Sequence, residues 1–410
     1  MTVRIALLTT VYDHASTGAG TFVQYLRRAV REGLLDVTFF SDDLEQQLED
    51  YERKVTVPFW ASRLPGRFLV RGWSFHHAFL LEHGQRPFDL VWHNNVLTAW
   101  YSMQRRIAVP VVGMINDASN MASVTPWSAS RDLGSYRAFV RFLWRFAERA
   151  VARRVDRVVV NSRFLKGRII DAYDIPPELV YLLYKGVALD TFQYEERPMS
   201  ESRLRVLFVK SDYVRGGLAD LLTALAHYPG PVEVTIIGPP NSESTKIRAL
   251  AAHCGFHDDV ILLGSLSRRE MVSQFAAHDV LCVPSRSEAL GVVFLEALAS
   301  GLPAVGTNVG GIPETLADGK AGWLVEPHNP EALAWALREV VTRDDERISK
   351  IRYGRAHVQQ FSYDRMIQRF SEIAQEAVRL HSPPLDIGTS ATTRPSFIYS
   401  GYTDSDAKES

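Results

Sequence analysis

Two glutamates, Glu288 and Glu296, stand where the short apolar run Val280–Val283 gives way to a polar turn and then to an apolar, helix-length stretch beginning near Gly291. A strand-to-helix turn aims free backbone N–H groups and the positive end of a helix dipole at one point, which suits a phosphate. Gly291, after Ala289 and Leu290, lets a ligand approach the backbone where a side chain would crowd it. Glu296 falls between Leu295 and Ala297, and a carboxylate in such a setting is costly without a partner. A ribose offers two hydroxyl donors that one carboxylate can accept together. Glu296 on the ribose and Glu288 nearer the sugar would then bracket a nucleoside diphosphate sugar. On spacing alone, the pair also fits two solvated residues on an amphipathic helix.

Breaking a glycosyl–phosphate bond requires the leaving diphosphate to be neutralised, and positioned Lys or Arg side chains can do this without a metal. After the run Arg205–Val209, the segment Lys210-Ser-Asp-Tyr-Val-Arg-Gly-Gly217 offers Lys210 and Arg215, or else two surface bases beside a turn. Ser16-Thr-Gly-Ala-Gly-Thr21 follows the first apolar run. Its Gly18 and Gly20 suit a loop close to a ligand, although the spacing falls short of G-x-G-x-x-G and a plain turn is the competing reading. Gly238 and Ser265 are small residues where a nucleoside base could dock. On the opposite side, Asn116 and Asp117 follow Val109–Met114, and His93 follows Leu90–Trp92; His93 and Asp117 are acceptor-side candidates. Asn116 can donate and accept hydrogen bonds but cannot titrate. There is no D-x-D in strand context, and the adjacent His76-His77 cannot share a helix face. Metal-independent chemistry is expected, with no cofactor beyond the donor itself.

These residues need a scaffold that delivers them to one place. Short apolar runs alternate with helix-length segments throughout, the pattern of parallel α/β architecture. The first half offers Arg4–Leu8, Val37–Phe40, Leu90–Trp92, Val109–Met114 and Arg157–Val160; the second offers Arg205–Val209, Val232–Ile237, Val260–Leu263, Val280–Val283 and Pro303–Gly306. Two such sets predict two Rossmann-like domains, with a seam in the aperiodic stretch Leu189–Arg203. From about Ser382 to Ser410 the composition turns Ser/Thr/Gly-rich and poor in apolar residues, predicting a disordered tail.

The residues quoted carry a family resemblance. Pro284-Ser-Arg-Ser-Glu-Ala-Leu-Gly291, Phe294-Leu-Glu-Ala-Leu-Ala-Ser-Gly-Leu-Pro303 and Gly310-Gly-Ile-Pro-Glu314 together resemble the signature of the glycogen-synthase-like, family 4 glycosyltransferases. Ala321-Gly-Trp-Leu-Val325, Phe361-Ser-Tyr363, Val158-Val-Val-Asn-Ser162 and Tyr184-Lys-Gly-Val187 extend it over about Val3 to Leu380. The resemblance implies a GT-B fold, α/β with two facing Rossmann-like domains and a cleft between them. It implies domains over about 1–195 and 203–360, with a C-terminal helix at about 362–380 crossing back onto the first. It gives Glu288 the transferred sugar, Glu296 the ribose, and the loop holding Gly18 and Gly20 a reach toward the diphosphate or acceptor. Three positions depart from the family. Lys210-Ser211 stands for its usual Gly-Arg, Arg215-Gly216 for its Lys-Gly, and Asn116-Asp117 for its His-Asp. An asparagine fits a retaining, front-face mechanism, in which the leaving phosphate oxygen takes the acceptor's proton. The resemblance therefore implies a retaining glycosyltransferase acting on a glycan, lipid-linked or small-molecule acceptor. A sugar-nucleotide epimerase, a glycoside phosphorylase or an inactive binding subunit remain alternatives on the same fold.

Composition limits the field further. The 410 residues suit two domains; 46% are hydrophobic and 23% charged, as in soluble globular proteins, and the formal net charge of −1 gives no global attraction to nucleic acid or membrane. Cys254 and Cys282 form no disulfide framework, so a reducing, cytoplasmic setting is expected. Charge is nevertheless uneven. Arg131 to Arg168 holds 11 Lys or Arg against three acidic residues, threaded with Phe142, Leu143, Trp144 and Phe146. Such a stretch reads as a core helix with an arginine-covered outer side, or as an amphipathic surface for an anionic membrane at the cytoplasmic face.

Overall fold

The computed structural model describes residues 2–12, 18–44, 49–58, 67–104, 107–117, 134–196, 198–200 and 202–381, with backbone alone for Ala19, Arg67 and 134–142. Ser16, Thr17, residues 131–133 and the tail 382–410 lie outside the described residues.

The first sheet contains β1 (Arg4–Thr9), β2 (Asp36–Ser41), β3 (Glu52–Lys54), β4 (Leu90–His93), β5 (Val111–Ile115), β6 (Arg157–Val160) and β7 (Val180–Leu182), in the order β3-β2-β1-β4-β5-β6-β7. The second contains β8 (Leu204–Val209), β9 (Val232–Ile237), β10 (Val260–Gly264), β11 (Val280–Val283), β12 (Ala304–Thr307) and β13 (Trp323–Val325), in the order β10-β9-β8-β11-β12-β13. The strand pairings are parallel. Because helices cover both faces, β1 and β11 are buried along their whole length and read as continuous apolar runs. The ten strands read from the sequence are present. β3, β7 and β13 go beyond them; at three residues each they are too short for a hydrophobic period to register. In each sheet the strand order reverses at the first strand, between β1 and β4 and between β8 and β11. Such switch points open a crevice at the carboxyl ends of the strands.

The chain passes between the two halves twice, and the two passages are joined. Val187 N–H donates to the Phe361 carbonyl (2.8 Å), and Tyr363 N–H donates to the Val187 carbonyl (2.9 Å). The second passage leads into helix Tyr363–Leu380, whose Met366, Phe370, Ile373 and Ala377 enter the first sheet's core with Ile5, Leu7 and Trp92. The Phe370 and Trp92 rings lie 4.4 Å apart at their centroids. The halves are also held by Glu314, in the short helix Ile312–Thr315 of the second half. Its carboxylate accepts from Arg163 N (2.9 Å) and Phe164 N (2.7 Å), at the start of helix Arg163–Tyr173 in the first half, and from the Tyr184 hydroxyl (2.8 Å). A helix N-terminus leaves its first N–H groups unsatisfied and favours an anion. The Glu of the Gly310–Glu314 motif is therefore a strut between the halves.

Phe370→Ala should cost about 3–5 kcal/mol of stability, as for a large buried aromatic, and should unfold the first half at lower denaturant than wild type. An unchanged urea midpoint would show that the returning helix is not part of that core.

Candidate active site

A cavity of about 810 Å³ lies between the carboxyl edges of the two sheets. Its second-half wall is the turn after β11. Gly291, at φ +89°, caps helix Val292–Ser300 without a side-chain cap, so the N–H groups of Val292 and Val293, both lining the cavity, are left uncapped, while Phe294 N–H donates to the Gly291 carbonyl at 3.0 Å. The turn rests on Gly310, where a Cβ would stand 1.7 Å from the Glu288 carbonyl oxygen, and Gly311 N–H donates to that same oxygen at 3.2 Å. No other residue fits at Gly310, which also has φ +60°. This close approach is the physical reason the glutamate turn and the paired glycines belong to one motif.

The basic loop after β8 lies against the same turn, with Arg286 N–H donating to the Arg215 carbonyl at 2.8 Å. Lys210 forms an ion pair with Glu288, each side chain about four-fifths buried. Arg215 is more exposed, lines the cavity and faces Asp212 at 3.7 Å. Glu296 points into the cavity from the helix. Burial raises its carboxyl from the ordinary value to about 7, against the pull of Arg268, whose Nη1 lies 3.8 Å away. Arg268 in turn sits over the ring of Tyr25 from the first half, 4.8 Å from its centroid, and donates to the Tyr25 hydroxyl. Ala188 N–H donates to that hydroxyl at 2.9 Å. Glu296, Arg268 and Tyr25 thus connect the two sides of the cleft.

On the first-half wall, three asparagines follow neighbouring strands. Asn94 Nδ2 donates to Thr9 Oγ1 (3.1 Å), Asn116 Nδ2 to the Asn94 carbonyl (2.7 Å), and Asn161 Nδ2 to the Asn116 carbonyl (2.8 Å). Each amide nitrogen donates one of these bonds, and the three buried Oδ1 atoms have no hydrogen-bond partner among the described residues. Asn116 lines the cavity, but its Oδ1 is buried and its Nδ2 holds the Asn94 carbonyl, so its side chain ties neighbouring strand ends together.

Glu288, Glu296, Ala289, Leu290, Gly291, Lys210, Arg215, Gly238, Ser265, Gly18, Asn116 and Asp117 all line this one cavity. Two candidates do not. Gly20 is buried within helix Gly18–Arg31, whose early start draws Gly20 out of the loop expected to hold it. His93 is fully buried beneath the cleft, bonded through Nδ1 to Thr98 Oγ1 (2.9 Å) and through Nε2 to Ser102 Oγ (3.1 Å). Burial lowers its pKa to about 3, so it is a neutral core residue and no acceptor-side group. Tyr25, Asn161, Lys185 and Arg268 line the cavity but carried no predicted role. Asn161 and Lys185 stand inside motifs that were visible. Arg268 follows Ser267, whose capping box with Glu270 marks only a helix start, and its contact with Tyr25 is 243 residues distant in sequence.

The raised Glu296 pKa has a consequence for stability. The folded state binds this proton more tightly than the unfolded state, so the contribution is complete below about pH 4.5 and lost as pH rises through about 7. Glu296→Gln removes that loss. At about pH 8 the free variant should melt a few degrees above wild type, and near pH 5 the two should nearly coincide, by differential scanning fluorimetry. An equal gap at both pH values would contradict a titrating Glu296.

Two family profiles divide the chain. Residues 16–191 match "Glycosyltransferase Family 4", and residues 191–357 match "Glycosyl transferases group 1". A relative named D-inositol 3-phosphate glycosyltransferase, from Streptomyces scabiei, is 25% identical over 406 residues, 90% of this chain and 82% of that protein. Sucrose-phosphate synthase from Thermosynechococcus elongatus superposes with a TM-score of 0.76 at 20% identity, covering 92% of this chain and 100% of that one. HepE from Anabaena, solved in complex with UDP-glucose, gives a TM-score of 0.68 at 16% identity, with 91% and 100% covered. With both profiles in register along the chain and two facing parallel sheets around one cleft, the protein belongs to the family 4 glycosyltransferases and has their GT-B fold.

Proposed function

We propose that the enzyme moves a sugar from a nucleoside diphosphate sugar to a hydroxyl acceptor, with retention at the anomeric carbon and without a catalytic metal. The single observation that carries this is the placing of Glu288, Glu296, an uncapped helix N-terminus and the basic loop on one wall of one cavity. Glu296 accepts the two ribose hydroxyls, with Gly238 and Ser265 flanking the base. The N–H groups after Gly291 hold the diphosphate, and Arg215 and Lys210 neutralise it as the anomeric bond breaks. Glu288 accepts from hydroxyls of the transferred sugar, exchanging its ion pair with Lys210 for these contacts when the donor binds. The leaving phosphate oxygen takes the acceptor's proton on the same face. No titrating side chain is needed at Asn116.

The structural neighbour bound to UDP-glucose supports a nucleotide-sugar donor, and the relatives' name supports a small polyol among the acceptor classes. A lipid-linked acceptor finds support on helix Gly134–Ala152, where Leu143 and Phe146 are exposed beside Arg145, with Phe164 beyond. That surface would seat the enzyme on the inner face of a membrane. No helix among the described residues is long and apolar enough to cross one.

Nucleotide release should be followed across UDP-, GDP- and ADP-sugars, with and without EDTA. One donor class should give release that EDTA leaves unchanged. Glu296→Ala should lower kcat/KM at least about tenfold, since it removes hydrogen bonds to a charged acceptor worth about 1.5–3 kcal/mol each. No release and no binding with any donor would overturn the transferase function.

A further inference from the structure

The cavity contains a cation that the donor site described above does not use. Lys185 follows β7 in the first half and is 7% exposed, yet lines the cavity. Its ammonium group makes no hydrogen bond or ion pair among the described residues; the nearest compensating charges are Glu288 and Asp117, acting at longer range. Glu288 is itself already paired with Lys210. A buried charge without a partner is disfavoured, and burial accordingly lowers the Lys185 pKa to about 8.

The backbone around Lys185 is fixed on both sides, so the side chain's direction is built in. Tyr184 donates through its hydroxyl to Glu314 (2.8 Å), and Gly186 N–H donates to Met366 Sδ (3.1 Å). Lys185 extends to a point of the cavity where the two halves approach each other. A Cβ placed on Gly18 would lie 3.5 Å from Lys185 Nζ and 3.6 Å from Val292 Cγ2. Gly18 opens the first helix of the first half, and Val292 opens the helix whose uncapped N-terminus faces the cavity. The ammonium group and the start of that helix therefore flank the same region, one from each half.

We propose that Lys185 is a phosphate-binding residue for the donor's diphosphate, reaching it from the first half while the helix N-terminus and basic loop hold it from the second. This rests on the nucleotide-sugar function proposed above. A diphosphate would supply the counter-charge that Lys185 lacks among the described residues, and it would tie the two halves together through a ligand rather than through a permanent ion pair. A phosphate on the acceptor is the other source of the same chemistry. The proximity to Val292, at the start of the donor-side helix, favours the donor.

The nucleotide among UDP, GDP and ADP that raises the wild-type melting temperature most should be titrated, with its parent nucleoside, against wild type and Lys185→Met. The variant should lose affinity for the diphosphate by about tenfold or more and keep its affinity for the nucleoside. The free variant should melt at or above wild type, because a buried charge has gone. Unchanged diphosphate affinity would overturn the proposal and leave an acceptor phosphate as the ligand. Parallel losses for nucleoside and diphosphate would also overturn it, marking a structural role. Failure of all three nucleotides to bind wild type would instead overturn the nucleotide-sugar function on which the proposal rests.

Discussion

The feature on which the site depends is the burial of opposite charges in one cavity without full mutual neutralisation. Glu296 is held with its carboxyl raised to about 7, and Lys185 with its ammonium lowered to about 8. Each is disfavoured in the charge state a nucleotide sugar would need. Removing water strengthens every interaction inside such a cavity, including the attraction of a ligand that brings the missing partners. Lys210 and Glu288 are different. They pair with each other in the free protein, so a donor must exchange that pair for new contacts.

The fold creates this situation by bringing together the edges of two parallel sheets. Parallel strands end on the same side, so every loop at a carboxyl edge can contribute to one crevice. The first half supplies the asparagine ladder, Tyr25 and Lys185, and the second supplies the glutamates and the basic loop. The relative position of the two edges is set away from the cavity. The paired passages at Val187 and Phe361–Tyr363, the returning helix Tyr363–Leu380 and the Glu314 strut carry that load. A motif glutamate that caps a helix in the opposite half shows how the signature segment serves architecture as well as chemistry.

What the sequence made legible follows from how local each signal was. Ten strands were readable because each is an apolar run of four or more residues. The three-residue edge strands β3, β7 and β13 were not, since they exist through pairing with a neighbour. The glutamate turn could be read because its strand, turn, helix and glycine floor lie within Val280–Gly311. The opposite wall could not be read in the same way. Arg268 meets Tyr25, and Val292 comes up to Gly18 beside Lys185, only after the halves assemble. His93 failed for a related reason. It ends β4 as a cleft residue would, but its side chain turns into the core, where Thr98 and Ser102 satisfy both ring nitrogens.

Calorimetric titration of an intact nucleoside diphosphate sugar, in buffers of differing ionisation enthalpy, counts the protons exchanged on binding. The donor's own diphosphate does not titrate near neutrality, so the exchange reports the cavity. With Glu296 bound as carboxylate and Lys185 as ammonium, binding should release protons near about pH 6.5 and take them up near about pH 8.5. Binding with no proton exchange at either pH would contradict a site built on buried charges that the free protein neutralises only in part.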